Sequence, residues 1–475
     1  MKISNRFTLN KTQAELDFVD IDTSRDLPVF IDPFFLSLRQ DNWSIEATRI
    51  IRSFFQRVLD LLNQNEEQEA RELFRHLGEV NATCLGMSKG NPRGRGVGEG
   101  DSDDIFDSIV SSRAAQTGLI QDLQDNILFV DGFGKDKLSD MTTNIIRKSL
   151  IEYTQKQCEL HGIPLSENVP SGFFWNRRTM MWEQEYTRML VIATQIILLV
   201  PKGVVSFCHD YTPYRYYNHF VLNFMQNEHL RMNSALVKER KDRTRYVTKR
   251  ELKELHPFSK DFIAEFSRRN PQILENFKER TNTDSLTNDE ITPINIDELI
   301  THLIKELRQI EPGNRDATRY HRLITGILEM IFYPHLIYPT LEVEIHEGRK
   351  RIDIVFDNAA TSGVFLRFSR NMNIPCQYIM VECKNYSSDP ENPEFDQLGG
   401  RFSPNRGKVG FLLCRTISNF DRFISRCQDT YRDDRGLIIP LSDVDIIQIL
   451  ENYNNWNDNF IETFLSNRVR LIAIN

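Results

Sequence analysis

Two stretches near the C-terminus decide how this chain is read: RIDIVF, residues 351–356, and YIMVECK, residues 378–384. In a β-strand successive side chains point to opposite faces, so Asp353 lies opposite Ile352, Ile354 and Phe356. The same period sets Glu382 and Lys384 on one face, opposite Val381 and Cys383. Three charges thus project from segments that are otherwise apolar. Burying a carboxylate or an ammonium is costly unless it is paired or bound to a cation, so these residues need a chemical reason to be there.

The sequence around them predicts the fold. LEVEIH and RIDIVF are separated by EGRK, which is hairpin spacing. Helices are expected before the hairpin, over residues 296–310 and from about 317 to 332. After YIMVECK, FDQLGGRF reads as a helix, KVGFLLC as a strand, SNFDRFISRCQDTYR as a helix, GLIIPL as a strand and VDIIQIL as a helix. Strands alternating with helices after a hairpin predict a mixed α/β sheet covered by helices. The expected division is a mostly helical N-terminal region over residues 1–290 and this α/β domain over residues 291–475, with the polar run 270–292 at the boundary.

Two carboxylates and a lysine make a workable hydrolysis site. Hard divalent cations take oxygen ligands and keep several waters, so Asp353, Glu382 and the carbonyl of Cys383 could hold one Mg2+, with substrate phosphate completing its shell. Lys384 would then sit beside the attacking water or the charge developing on phosphorus.

The order ID at Asp353, then ECK at Glu382–Lys384 on the next strand, resembles the PD-(D/E)xK nuclease superfamily, whose domain is a restriction-endonuclease-like α/β sandwich. Ile352 stands where the family usually has Pro. The resemblance implies two further site residues: Glu329, in the helical RYHRLITGILEMIF before the hairpin, and Gln397, in FDQLGGRF after the lysine strand. It covers roughly residue 296 to the C-terminus and does not reach residues 1–290. It implies an Mg2+-dependent endonuclease, Mn2+ also serving, that hydrolyses DNA phosphodiester bonds, with RNA left open. The setting it suggests is a bacterial restriction or anti-phage defence effector, paired as a homodimer or with a partner defence protein. Two alternatives stand beside it: a non-catalytic nucleic-acid or protein-binding module that retains the fold, and an N-terminal enzyme that binds a nucleotide through the glycine-rich run GMSKGNPRGRGVGEGDSDD, residues 86–104. That run lacks GxxxxGK[ST], so a surface loop is expected there.

The 475 residues carry 59 Lys plus Arg against 67 Asp plus Glu, so any nucleic-acid contact must be a local patch. The clearest patch is RMNSALVKERKDRTRYVTKR, residues 231–250, where eight basic residues face two acids. Read as a basic helix, it offers Lys238, Arg240, Lys241, Arg243 and Arg245 to phosphates, or else a solvated face. A loop after RIDIVF could bring Arg367 and Arg370 to the substrate, or hold them outward, and Arg401, Arg406 and Lys408 face the same choice. The aromatic run HDYTPYRYYNHF, residues 209–220, reads as a base-stacking surface or a packed core edge.

Elsewhere residues 43–75 predict an amphipathic helical pair. NILFVDGFGKDK reads as strand-like, ahead of a long helix capped by Ser139 or Asp140. Residues 189–207 read as a buried helix or strand pair around Pro201 and Gly203, and their most apolar stretch, MLVIATQIILLV, residues 189–200, is too short for the roughly 18–20 apolar residues of a membrane span. Seven scattered cysteines without a CxxC pair suit a reducing cytosol, so a cytoplasmic protein is expected.

Overall fold

In the computed structural model the hairpin opens a five-stranded sheet whose strands lie in chain order. They are β1 (Leu336–Ile345), β2 (Lys350–Asn358), β3 (Tyr378–Lys384), β4 (Val409–Cys414) and β5 (Leu437–Ser442). Residues 1–87, 99–112, 119–282, 284–345, 347, 349–453 and 460–474 are described. β1, β2 and β3 pair antiparallel, whereas β3, β4 and β5 pair parallel. Parallel neighbours need a crossover, and each crossover here carries a helix.

The helices are α1 (Ile296–Gln309), α2 (Ala317–Phe332), α3 (Gly363–Arg370), α4 (Asn392–Gly399), α5 (Phe420–Arg432), α6 (Asp443–Glu451) and α7 (Phe460–Ala473). They cover the sheet so fully that every residue of β4 and β5 is buried, the pattern of a strand enclosed on both faces. α3 replaces the expected loop: Val364, Phe365 and Phe368 fall on one helical face and enter the core, which an extended segment could not arrange.

Among its described residues the N-terminal region contains helices and four small two- or three-stranded sheets. The helical pair is present as Asn42–Asn63 and Glu67–Phe74. The ambiguous segment around Pro201 begins as antiparallel strands Tyr186–Ile192 and Gln195–Ile197. Several expectations are overturned. NILF is helical, Asp125–Phe129, because a short apolar run does not distinguish strand from buried helix. The long helix is two, Lys135–Ile145 and Arg147–His161, so Ser139 and Asp140 lie inside a helix that starts after Gly134. The polar run before α1 is largely folded: helix Pro271–Arg280 buries Leu274 and Phe277. Most of the glycine-rich run lies outside the described residues, and its end belongs to helix Glu99–Ser111.

Two apolar cores form, and each borrows from the other. The N-terminal core includes Tyr333, Ile337, Tyr338 and Ala359, while Ala14 belongs to the C-terminal core. At this seam the N–H of Tyr338 donates to Asp17 at 3.0 Å, and Asn42 donates to the Tyr378 hydroxyl at 2.8 Å. No helix among the described residues is long and apolar enough to cross a membrane.

Candidate active site

β2 alternates as its sequence predicts: Ile352, Ile354 and Phe356 are buried, while Asp353, Val355 and Asp357 are partly exposed. Its register with β3 pairs Ile354 with Val381 and Val355 with Met380. One further step sets Asp353 opposite Glu382. There the Asp353 carboxylate reaches across and accepts the N–H of Cys383 at 2.9 Å.

Glu382 and Lys384 share a face and meet, Nζ to Oε1, at 2.8 Å. Gln397 on α4 bridges them: its amide nitrogen donates to Glu382 Oε1 at 2.7 Å, and its oxygen accepts from Lys384 at 3.1 Å. This double contact fixes which way the amide points. The other Glu382 oxygen accepts from Arg401 at 2.7 Å. Glu382 is 1% exposed and Arg401 6%, so this is a buried ion triad held from the sheet and from the turn after α4.

Burial raises the pKa of Glu382 above the ordinary glutamate value and Asp353 adds to the rise, while Lys384 and Arg401 oppose it. Burial works against the Lys384 ammonium, but Glu382 outweighs it and the pKa ends above the ordinary lysine value. Lys384 is therefore charged at neutral pH. Asp353 and Glu382 balance Lys384 and Arg401, so the cluster is close to neutral.

The end of β3 is fixed from below. Asn385 donates to the carbonyls of Glu311 and Gly313 at 2.9 and 2.8 Å. Its side-chain oxygen accepts from Arg415, whose guanidinium also holds Asp443 on α6. Lys384 thus projects from a strand clamped to the α1–α2 connection.

Asp353, Glu382, Lys384 and Gln397 come together. Glu329 does not join them: it faces the seam, where the charges that act on it are Lys11, Asp17, Lys202 and Glu15. The basic run is not the expected helix. Helix Leu222–Arg231 ends, and a hairpin pairs Lys238–Glu239 with Arg245–Tyr246. Its turn carries Arg243 at φ +65°, which a helix cannot contain. Lys238 pairs with Glu251 at 2.7 Å and Arg240 lies over the Tyr246 ring, while Lys241 and Arg243 are exposed. Arg367 is tied to Glu462 and Ser466 of α7, and Arg370 is exposed. Of the aromatic run, Tyr211, Tyr216 and Tyr217 are buried in the core.

Two participants escaped sequence reasoning. Arg401 was one of several arginines after Gln397, and only the turn that returns it to β3 marks it out. His321 on α2 places Nε2 3.2 Å from the Cys383 carbonyl, with no sequence signal beyond its place two turns before Glu329. Among the described residues no three His, Cys, Asp or Glu side chains converge to hold a metal. The oxygen donors still suit a hard cation in type: two carboxylates and a carbonyl, with the second Asp353 oxygen receiving no hydrogen bond among the described residues.

A family model described as a domain of unknown function, DUF8370, matches residues 8–212. That span ends before the sheet begins. Neither a curated protein nor a solved structure matches the chain.

Proposed function

We propose that this protein is a metal-dependent endonuclease that hydrolyses DNA phosphodiester bonds through a restriction-endonuclease-like C-terminal domain. The observation that carries the reading is the Lys384–Glu382 contact at 2.8 Å, bridged by Gln397, on the strand next to Asp353. An ammonium held in place before the reaction costs no reorganisation when negative charge builds on the phosphoryl oxygens, and that is where Lys384 acts. Gln397 keeps it from swinging out. Asp353 and Glu382, with the Cys383 carbonyl, would hold Mg2+ or Mn2+, which supplies Lewis acidity and lowers the pKa of a bound water. Because Lys384 and Arg401 already balance the two carboxylates, a divalent cation adds charge that only substrate phosphates offset. Cation and DNA are therefore expected to bind together.

A specific observation favours a second reading, a non-catalytic nucleic-acid-binding module. Both Glu382 oxygens are engaged by protein donors, and the Cys383 carbonyl is taken by His321. The test is cleavage of supercoiled DNA with and without Mg2+, comparing wild type, Asp353→Asn and Lys384→Met. Mg2+-dependent nicking lost in both variants supports the enzyme. DNA binding without cleavage in any divalent cation supports the module.

A further inference from the structure

We propose that a cavity beside the Asp353–Glu382 pair receives one unstacked nucleobase of the substrate strand, adjacent to the phosphate that is cut. The proposal rests on the nuclease reading above and gives it a substrate requirement.

The cavity encloses about 480 Å3, within the roughly 300–1,000 Å3 of ordinary ligand pockets. Val355, Asp357, Tyr378 and Met380 line its sheet side. Val355 pairs with Met380 and Asp357 with Tyr378. By the two-residue period these side chains share the face that carries Asp353, Glu382 and Lys384. Met380 precedes Glu382 by two residues, about 7 Å along the strand. That is about one nucleotide step from the phosphate-handling cluster.

The opposite wall comes from the N-terminal helices, with Trp43, Tyr153, Lys156 and Gln157. Gln157 is 2% exposed, and its side-chain oxygen has no hydrogen-bond partner among the described residues. Tyr378 has its hydroxyl held by Asn42 and lines the cavity, where a base could stack on its ring. Burial pushes the pKa of Asp357 up to about 8, leaving a neutral carboxyl that can donate and accept along a base edge. Arg406 also lines the cavity, and its guanidinium bonds the Arg401 carbonyl at 3.0 Å, which ties this wall to the residue that holds Glu382. An aromatic face, a polar edge and the cations Lys156 and Arg406, in a lining that also carries Glu46 and Glu152, match a nucleobase on its sugar-phosphate.

The test uses full-length protein and DNA oligonucleotides with Ca2+ in place of Mg2+, which keeps a divalent cation at the carboxylates and allows binding with turnover slowed by its looser coordination. 2-Aminopurine is scanned along the strand, and an abasic site is then placed at the responding position. The expected result is an emission change confined to one or two adjacent positions and about tenfold weaker binding of the abasic strand. Ser149→Phe and Thr340→Phe, which fill the cavity from opposite walls, should lose the response while keeping the wild-type circular-dichroism spectrum. A flat scan with DNA that binds and is cut in Mg2+ overturns the base pocket and leaves the nuclease standing. A localised response without cleavage overturns the nuclease and supports the base pocket. Two folded cavity-filled variants that respond and bind as wild type overturn the base pocket.

Discussion

Glu382 in the sheet and Glu329 at the seam are buried almost equally, 1% and 3% exposed, and the two regions handle them in opposite ways. Glu382 is surrounded by Lys384, Gln397 and Arg401, which stabilise its charge. Neither oxygen of Glu329 has a hydrogen-bond partner among the described residues. Burial pushes its pKa up to about 8, with Lys11 and Lys202 pulling it down and Asp17 and Glu15 pushing it up. Burial raises both pKa values, but only at Glu382 do hydrogen-bonded donors oppose the rise. Burial alone therefore does not distinguish the two glutamates; the donors around them do.

The largest expected effect lies at the sheet. Lys384→Met should lower Mg2+-dependent cleavage by about 10^2–10^3-fold, the usual loss when one preorganised charge-stabilising group is removed. Single-turnover assays at saturating protein measure it, and a near wild-type rate would place Glu382 and Glu329 in the same structural category. Next comes Arg401→Ala, which leaves Glu382 buried with one cation fewer. A loss of about 3 kcal/mol in urea unfolding is expected, and a loss below about 0.5 kcal/mol would show that Lys384 and Gln397 suffice.

Glu329→Gln sharpens the contrast through pH. An unfolded chain ionises this carboxyl near the ordinary value of 4.5, whereas the folded protein keeps its proton until about pH 8. Across that window the folded state binds more protons, so wild-type stability falls as pH rises, by up to about 1.4 kcal/mol per pH unit, and levels off above pH 8. The Gln variant should lack this slope, and unfolding midpoints at pH 5, 6.5 and 8 test it. The smallest effect belongs to the exposed hairpin. Lys241→Ala with Arg243→Ala should reduce the salt slope of DNA binding by about 2 if both touch phosphate. An unchanged slope assigns them to solvent and leaves the sheet as the region that meets DNA.

The C-terminal elements were readable because each strand has a neighbour close in sequence and a strict two-residue alternation. β3 matches YIMVECK residue for residue. The N-terminal region was harder to read. NILF was too short to show a period, and the basic run changes from helix to hairpin at Met232–Asn233, where Asn233 adopts φ +47°. At the site, Asp353, Glu382, Lys384 and Gln397 were legible from pattern and resemblance. Glu329 was misplaced because a helix presents several faces, and which one meets the sheet depends on packing against Asp17 and Lys202.

Local chemistry along the chain was enough to set Asp353, Glu382 and Lys384 on strands and to choose their faces, because side-chain alternation needs no distant contact. Folding in three dimensions decided the rest: that Arg401 returns to Glu382, that Glu329 turns to a seam with the N-terminal region, and that helices from that region roof the sheet beside the charged cluster. Those outcomes depend on how crossovers and cores pack against one another, and no periodicity within a single element records that.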